Sequence, residues 1–217
     1  MKGSGKYTDE LKSLVKKFAK EAKAPVLQKQ DSLRSMVRAI FAFDTTDTHA
    51  DEALAVIDRE FVDFNELRVA TVLEVDDLIS TKYPQIEKRT AMISAILNYV
   101  FEKEGVLSFE RLAPLKKAEI RQYLRSLPGM TSYVEAHICL MCFDTGAMPM
   151  DDMSMVYLKQ AGALDPAATL EDAQKQVENH LKPEEIYELF MGLRRQATDS
   201  YVAAAPVDEK KKASAKK

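Results

Sequence analysis

Apolar positions recur along the chain with helical spacing, and runs of alternating β-branched residues are few. From Thr8 onward, Leu11, Leu14, Val15, Phe18 and Ala22 share one face of an amphipathic helix, and the Ala24-Pro25 step ends it. Leu33, Met36, Val37, Ile40 and Phe41 form a second stripe. Thr46 and Asp47 then cap a third helix carrying Ala50, Ala53, Leu54, Ile57 and Phe61. Short helical pieces follow around Glu66 to Ala70 and Val75 to Ile79. After Pro84 the pattern is long, through Ile86, Ile93, Leu97, Val100 and Phe101 to Gly105, and predicts a central buried helix. A turn-like helix from Ser108 precedes a helix over Lys117 to Leu127. A tight Pro128-Gly129 turn then leads into a helix from about Ser132 to Phe143. Beyond Gly146 and Pro149 come a helix over Asp151 to Ala161, a capping box at Thr169 and Asp172, and a last helix opened by Pro183.

This pattern, with seven glycines and many Leu, Ala, Glu, Lys and Met, predicts an all-α protein. A chain of 217 residues at 46% hydrophobic content can bury a core. Two cysteines, Cys139 and Cys142, are too few for a disulfide framework, and the opening residues lack the apolar stretch of a signal peptide, so a cytoplasmic location is expected, nucleoid-associated in a prokaryote. No apolar run approaches the roughly 20 residues that cross a bilayer, so no membrane partner is expected. The two cysteines lie in an apolar run with Ile138, Leu140 and Met141 and read as buried thiols. His49, His137 and His180 are scattered singly and read as surface or cap residues; no metal site is expected.

The net charge is −3, unevenly spread. Residues 1 to 23 carry seven lysines and three acids, and residues 207 to 217 five lysines and two acids, so the stretch between them is at −10. That balance is awkward for a partner whose affinity comes from phosphate neutralisation.

The Leu127-Pro128-Gly129 turn is the first piece of candidate chemistry. Gly129 permits close backbone approach, and the amides of Gly129, Met130 and Thr131, ahead of a helix that begins at Ser132, present donors and partial positive charge to a phosphate. Such a grip holds backbone without reading sequence. An ordinary hairpin of two helices would use the same three residues.

The run AEIRQYLRSLPGMTSYVEAHICLMCFDTGAMPMDDMSMVYL resembles the hairpin and catalytic segment of the endonuclease III superfamily of helix-hairpin-helix DNA glycosylases. Upstream, IFAFDTTDTHADEAL is similar to the family's helix ending in a Thr-Asp pair. Downstream, LEDAQKQVENHLKPEEIYELFMGLRRQA is similar to its closing helices, and together the three cover roughly Ser32 to Ala197. The resemblance implies a two-lobed fold: a helical barrel lobe over 32–145 with the hairpin, and a second lobe combining an N-terminal helix in 1–31 with helices in 146–202. A Lys-rich tail over 203–217 is expected to be disordered.

The resemblance places Asp151, eighteen positions after Tyr133, where these enzymes keep their essential carboxylate, to stabilise the developing sugar cation or activate water. Asp151 also precedes a helix it can cap, as can Asp152. Tyr133 stands where bifunctional members have their Schiff-base lysine, so the lyase step is expected to be missing while hydrolytic base removal stays open. Asp44 falls where an uncharged side chain enters the gap left by a flipped base. Thr131 replaces a hairpin glycine, and Glu135 adds a carboxylate expected near phosphate. No cysteine follows Cys142, so the iron-sulfur cluster of many relatives is not expected, nor any other cofactor. The implied partner is double-stranded DNA, damaged or mismatched, met by a monomer. Three functions follow: a monofunctional glycosylase with Asp151 and Tyr133 in its site and Pro128 to Ser132 on the strand; a non-catalytic DNA-binding or scaffold homologue; and a helical interaction module without DNA.

Overall fold

The computed structural model describes residues 4–80 and 82–196; the tail proposed over 203–217 lies outside them. Those residues form eleven α-helices and one 3-10 turn over Glu110–Leu112, and no strand. In chain order they are α1 (Ser4–Glu21), α2 (Ser32–Ala42), α3 (Asp47–Glu60), α4 (Phe64–Val69), α5 (Val72–Ile79), α6 (Ile86–Glu104), α7 (Lys117–Arg125), α8 (Ser132–Phe143), α9 (Asp152–Gln160), α10 (Leu170–His180) and α11 (Pro183–Gln196). No helix among them is long and apolar enough to cross a membrane.

Local chemistry sets most of these boundaries. Asp31 accepts the Arg34 amide at 2.7 Å and opens α2, and Thr46 accepts the His49 amide at 3.2 Å and opens α3. Thr71 with Glu74 and Thr169 with Asp172 form reciprocal capping boxes at α5 and α10. Gly105 closes α6 in the left-handed region, with φ 72°. The first helix starts one turn earlier than Thr8, since its opening turn carries no apolar stripe to announce it.

One lobe is built around α2, which packs on α3, α6 and α8, with α4 and α5 against α6 and α7 folded back on α8. The other brings α1 onto α11, with α9 against α10 and α11. Gly192 lets α11 approach α1 closely, because a Cβ there would sit 2.0 Å from the Phe18 ring.

The central helix is α8, not α6 as the sequence suggested. Every residue from Tyr133 to Cys142 is buried, whereas α6 buries one stripe and leaves the rest half-buried or exposed. Two further expectations are corrected by this placement. His137 is a core residue, 1% exposed, with Nδ1 3.4 Å from Ser35 Oγ and its ring edge-on to Phe190. Burial pulls its imidazole down to about 3, so it packs as a neutral ring. Glu135 is fully buried rather than turned toward a phosphate: Arg121 donates to it at 2.6 Å and Arg125 at 3.2 Å. Cys139 and Cys142 are buried free thiols, pushed up by burial to about 12 and about 11.

Candidate functional site

The hairpin lies between α7 and α8. Ser126 and Leu127 close α7 through backbone bonds to Gln122, Tyr123 and Leu124, and Leu127 buries its side chain as an anchor. Gly129 then takes φ 71°, a conformation that a side chain would strain. Thr131 caps α8 by accepting the Val134 amide at 3.2 Å. Of the three amides expected to face a phosphate, Met130 is already committed to the Leu127 carbonyl at 3.2 Å. Those of Gly129 and Thr131 take no backbone partner among the described residues. Gly129 and Ser132 are exposed, so the turn is an accessible surface.

Asp151 lies at the N-terminus of α9. Its Oδ1 accepts the Ser154 amide at 2.8 Å, so Asp151 and not Asp152 caps the helix, and its Oδ2 is 3.4 Å from Arg194 Nη1. Asp151 is completely buried, flanked by the buried methionines Met148, Met150 and Met153. The cavity against it, lined by Ser154, Tyr157, Leu193 and Arg194 among others, holds about 10 Å³, room for about one water.

Asp44 reaches the same point from the other lobe. It leaves α2 in the left-handed region, with φ 51°, and its Oδ1 accepts the Asp152 amide at 3.1 Å. Partial burial first, then the charges of Asp151 and Asp152, push its carboxyl up to about 7 against the pull of Arg89. The carboxyl of Asp44 thus ties the start of α9 to the end of α2.

Tyr133, in the first turn of α8, is 1% exposed, with its ring 5.3 Å from Phe43 and 6.3 Å from His137. Its hydroxyl is buried without a hydrogen-bond partner among the described residues. Burial pushes the phenol well above its ordinary range, opposed by the Arg194 charge.

The residue that assembles this region was not singled out from the sequence. Arg194, 4% exposed, donates to Asp47 Oδ1 at 3.0 Å, to the Thr45 carbonyl at 2.8 Å and to the Ala42 carbonyl at 3.3 Å, besides meeting Asp151. Burial alone would lower its guanidinium, but Tyr133, Asp47 and Asp151 together raise it. Arg89 does the parallel work from α6, donating to the carbonyls of Ile40, Phe41 and Phe43. The end of α2, where the chain turns into Asp44, is therefore held by two buried guanidiniums. Both arginines occupy positions on otherwise apolar stripes, Arg194 four residues after Phe190 and Arg89 four before Ile93, and that misfit was the available signal.

No protein-family model matches the sequence, and no curated protein is similar to it by sequence. Solved structures are similar in three dimensions. An endonuclease III trapped as a covalent intermediate with DNA superposes with a TM-score of 0.68 at 12% identity, covering 86% of this chain and 84% of that one. The H. pylori 3-methyladenine DNA glycosylase MagIII, bound to 1,N6-ethenoadenine, gives 0.66 at 13%, covering 89% and 97%. A thermostable thymine-DNA glycosylase gives 0.63 at 14%, covering 95% and 91%. At such identities the likeness is one of architecture, and in architecture this chain has the all-α, two-lobed fold of the endonuclease III-like DNA glycosylases.

Proposed function

We propose that the chain binds double-stranded DNA and removes a damaged or mismatched base by hydrolysing its N-glycosidic bond, without a lyase step. The observation that carries this reading is the placement of Asp151, a carboxylate fixed by the Ser154 amide and Arg194 where the two lobes meet. There it would stabilise positive charge developing on the sugar as the base departs, or orient a water onto it. The free amides of Gly129 and Thr131 would hold the strand by its phosphates. The DNA glycosylases of like fold support the assignment to base excision. Tyr133 argues against a lyase, because a phenol has no amine to condense with the sugar aldehyde.

For a base to reach Asp151 the 10 Å³ cavity must open, and the Asp44–Asp152 hydrogen bond is the contact across which the lobes would part. The same closure favours a second reading, a DNA-binding homologue that does no chemistry. Duplexes carrying uracil, oxidised pyrimidines, and A:G or T:G mismatches separate the two. Excision by the wild type that disappears in Asp151→Asn supports the enzyme, and binding without excision across the panel supports the second reading. Borohydride trapping is expected to give no covalent adduct. Absence of binding to any duplex at low salt refutes both.

A further inference from the structure

The three cations of α7, the helix that leads into the hairpin, are already committed. Arg121 is shared between Glu135 and Glu178, Arg125 pairs with Glu135, and Lys117 donates to the Gly146 carbonyl. A protein that binds DNA through this turn gains little phosphate-neutralising charge from that helix.

A groove of about 510 Å³ between α1 and the α10–α11 turn supplies it. Lys12 and Lys16 line one wall and Lys182 the other, next to His180, while the buried side chains of Val15 and Leu181 form the floor. All three lysines are exposed. Among the described residues Lys17 and Lys175 are paired with carboxylates; Lys12, Lys16 and Lys182 are not. The acid in the groove, Glu185, is committed to the Lys182 backbone amide at 2.8 Å. Lys12 and Lys16 stand one helical turn apart, a like-charge spacing that costs α1 stability unless an anion answers it. In a chain with 34 acids against 31 lysines and arginines, such an unanswered cluster is a local reversal of sign.

We propose that this groove is a second contact surface for the phosphate backbone of duplex DNA, an inference that rests on the DNA-binding part of the function proposed above. The span from Pro183 to Arg194 along α11 is about 17 Å at 1.5 Å per residue, or about five phosphates of one strand. That separation is within the length of one short duplex.

The test is fluorescence anisotropy of an undamaged 30-base-pair duplex across a salt series, with wild type, the triple variant Lys12→Gln, Lys16→Gln, Lys182→Gln, and a control carrying Lys103→Gln and Lys175→Gln. Each lost phosphate contact lowers the log–log salt slope by about 0.9. The triple variant should lose about 2 to 3 from the slope and bind about tenfold or more weakly at 100 mM salt, while the control keeps the wild-type slope. An unchanged slope in the triple variant overturns the groove and leaves the hairpin reading standing. Wild type that binds no duplex at low salt overturns both. Pelleting with phosphatidylserine vesicles that the triple variant alone loses, with the DNA slope intact, would reassign the groove to a lipid surface.

Discussion

Replacing Arg194 by Met keeps much of the side-chain volume and removes every hydrogen bond that the guanidinium makes. Four acceptors then lose this donor, the carbonyls of Ala42 and Thr45, Asp47 Oδ1 and Asp151 Oδ2, although the Ala42 carbonyl keeps the Thr45 amide at 3.2 Å and Asp47 Oδ1 keeps Arg38 at 3.3 Å. Asp47 is partly exposed and can turn to water, but Asp151 is fully buried and keeps just the Ser154 amide. Removing one partner of a buried ion pair costs about 3–5 kcal/mol. In Asp151→Asn the cap oxygen survives but an amide group faces the guanidinium, which should cost about 1–3 kcal/mol. If the two residues act through each other, the double variant is less destabilised than the sum of the singles, by about 0.5–3 kcal/mol. The 3.4 Å separation places the expected value in the lower half of that range. Urea unfolding followed by circular dichroism supplies all four free energies, with m-values checked for constancy. Additivity within 0.5 kcal/mol would show that Arg194 serves Asp47 and the α2 carbonyls alone, and that Asp151 is held by its cap.

Asp44 titrates oppositely to an ordinary paired carboxylate. Its folded value, about 7, lies above the unfolded value near 4, so it adds stability below about pH 4 and loses it as pH rises to 7. Asn tolerates the left-handed backbone, so Asp44→Asn should keep the fold and, relative to wild type, gain about 1–3 kcal/mol between pH 4 and 8 after allowance for solvent screening; a difference flat with pH refutes the assignment. Tyr133→Phe removes a buried hydroxyl without a partner, and melting should show stability unchanged or raised by up to about 2 kcal/mol. A loss beyond 1 kcal/mol would reveal a partner for that hydroxyl. Gly192→Ala puts a methyl 2.0 Å from the Phe18 ring and should cost about 1–3 kcal/mol, with partial recovery when Phe18→Leu is added. No recovery would locate the strain elsewhere.

What could be read from the sequence was what neighbours in sequence decide. The Thr46, Thr169 and Asp151 caps each satisfy an amide three residues ahead, and Gly105 and Gly129 mark the left-handed positions that end α6 and turn the hairpin. The order of elements followed from these and from apolar spacing. The helix taken as central was misjudged because a period of 3.6 identifies a one-sided stripe, as in α6, while a helix buried all round, as α8 is, has no period to detect. The site was half legible. Asp151, Asp44 and Tyr133 were named from motif position, but Arg194 meets Thr45 and Asp47 across about 150 residues of chain, and no local pattern records that meeting.

The distribution of charge is the point on which sequence and structure pull hardest against each other, and the structure resolves it by location. A net −10 between residues 24 and 206 would oppose DNA if it acted as one field. At 0.1 M salt, however, exposed charges further apart than about 10 Å are largely screened, so binding depends on what lies within a Debye length of each phosphate. Asp44, Asp151 and Asp152 gather at the start of α9, and Glu135 is sealed beneath its arginines. The Lys12, Lys16 and Lys182 groove lies about 17 Å away along α11, beyond the reach of those acids at that salt. At 0.01 M salt the Debye length grows to about 30 Å and the acidic region comes back into range. The affinity gain on dilution should therefore flatten below about 0.05 M for this chain, and continued steepening down to 0.01 M would show that the acids are too well compensated to be felt at all.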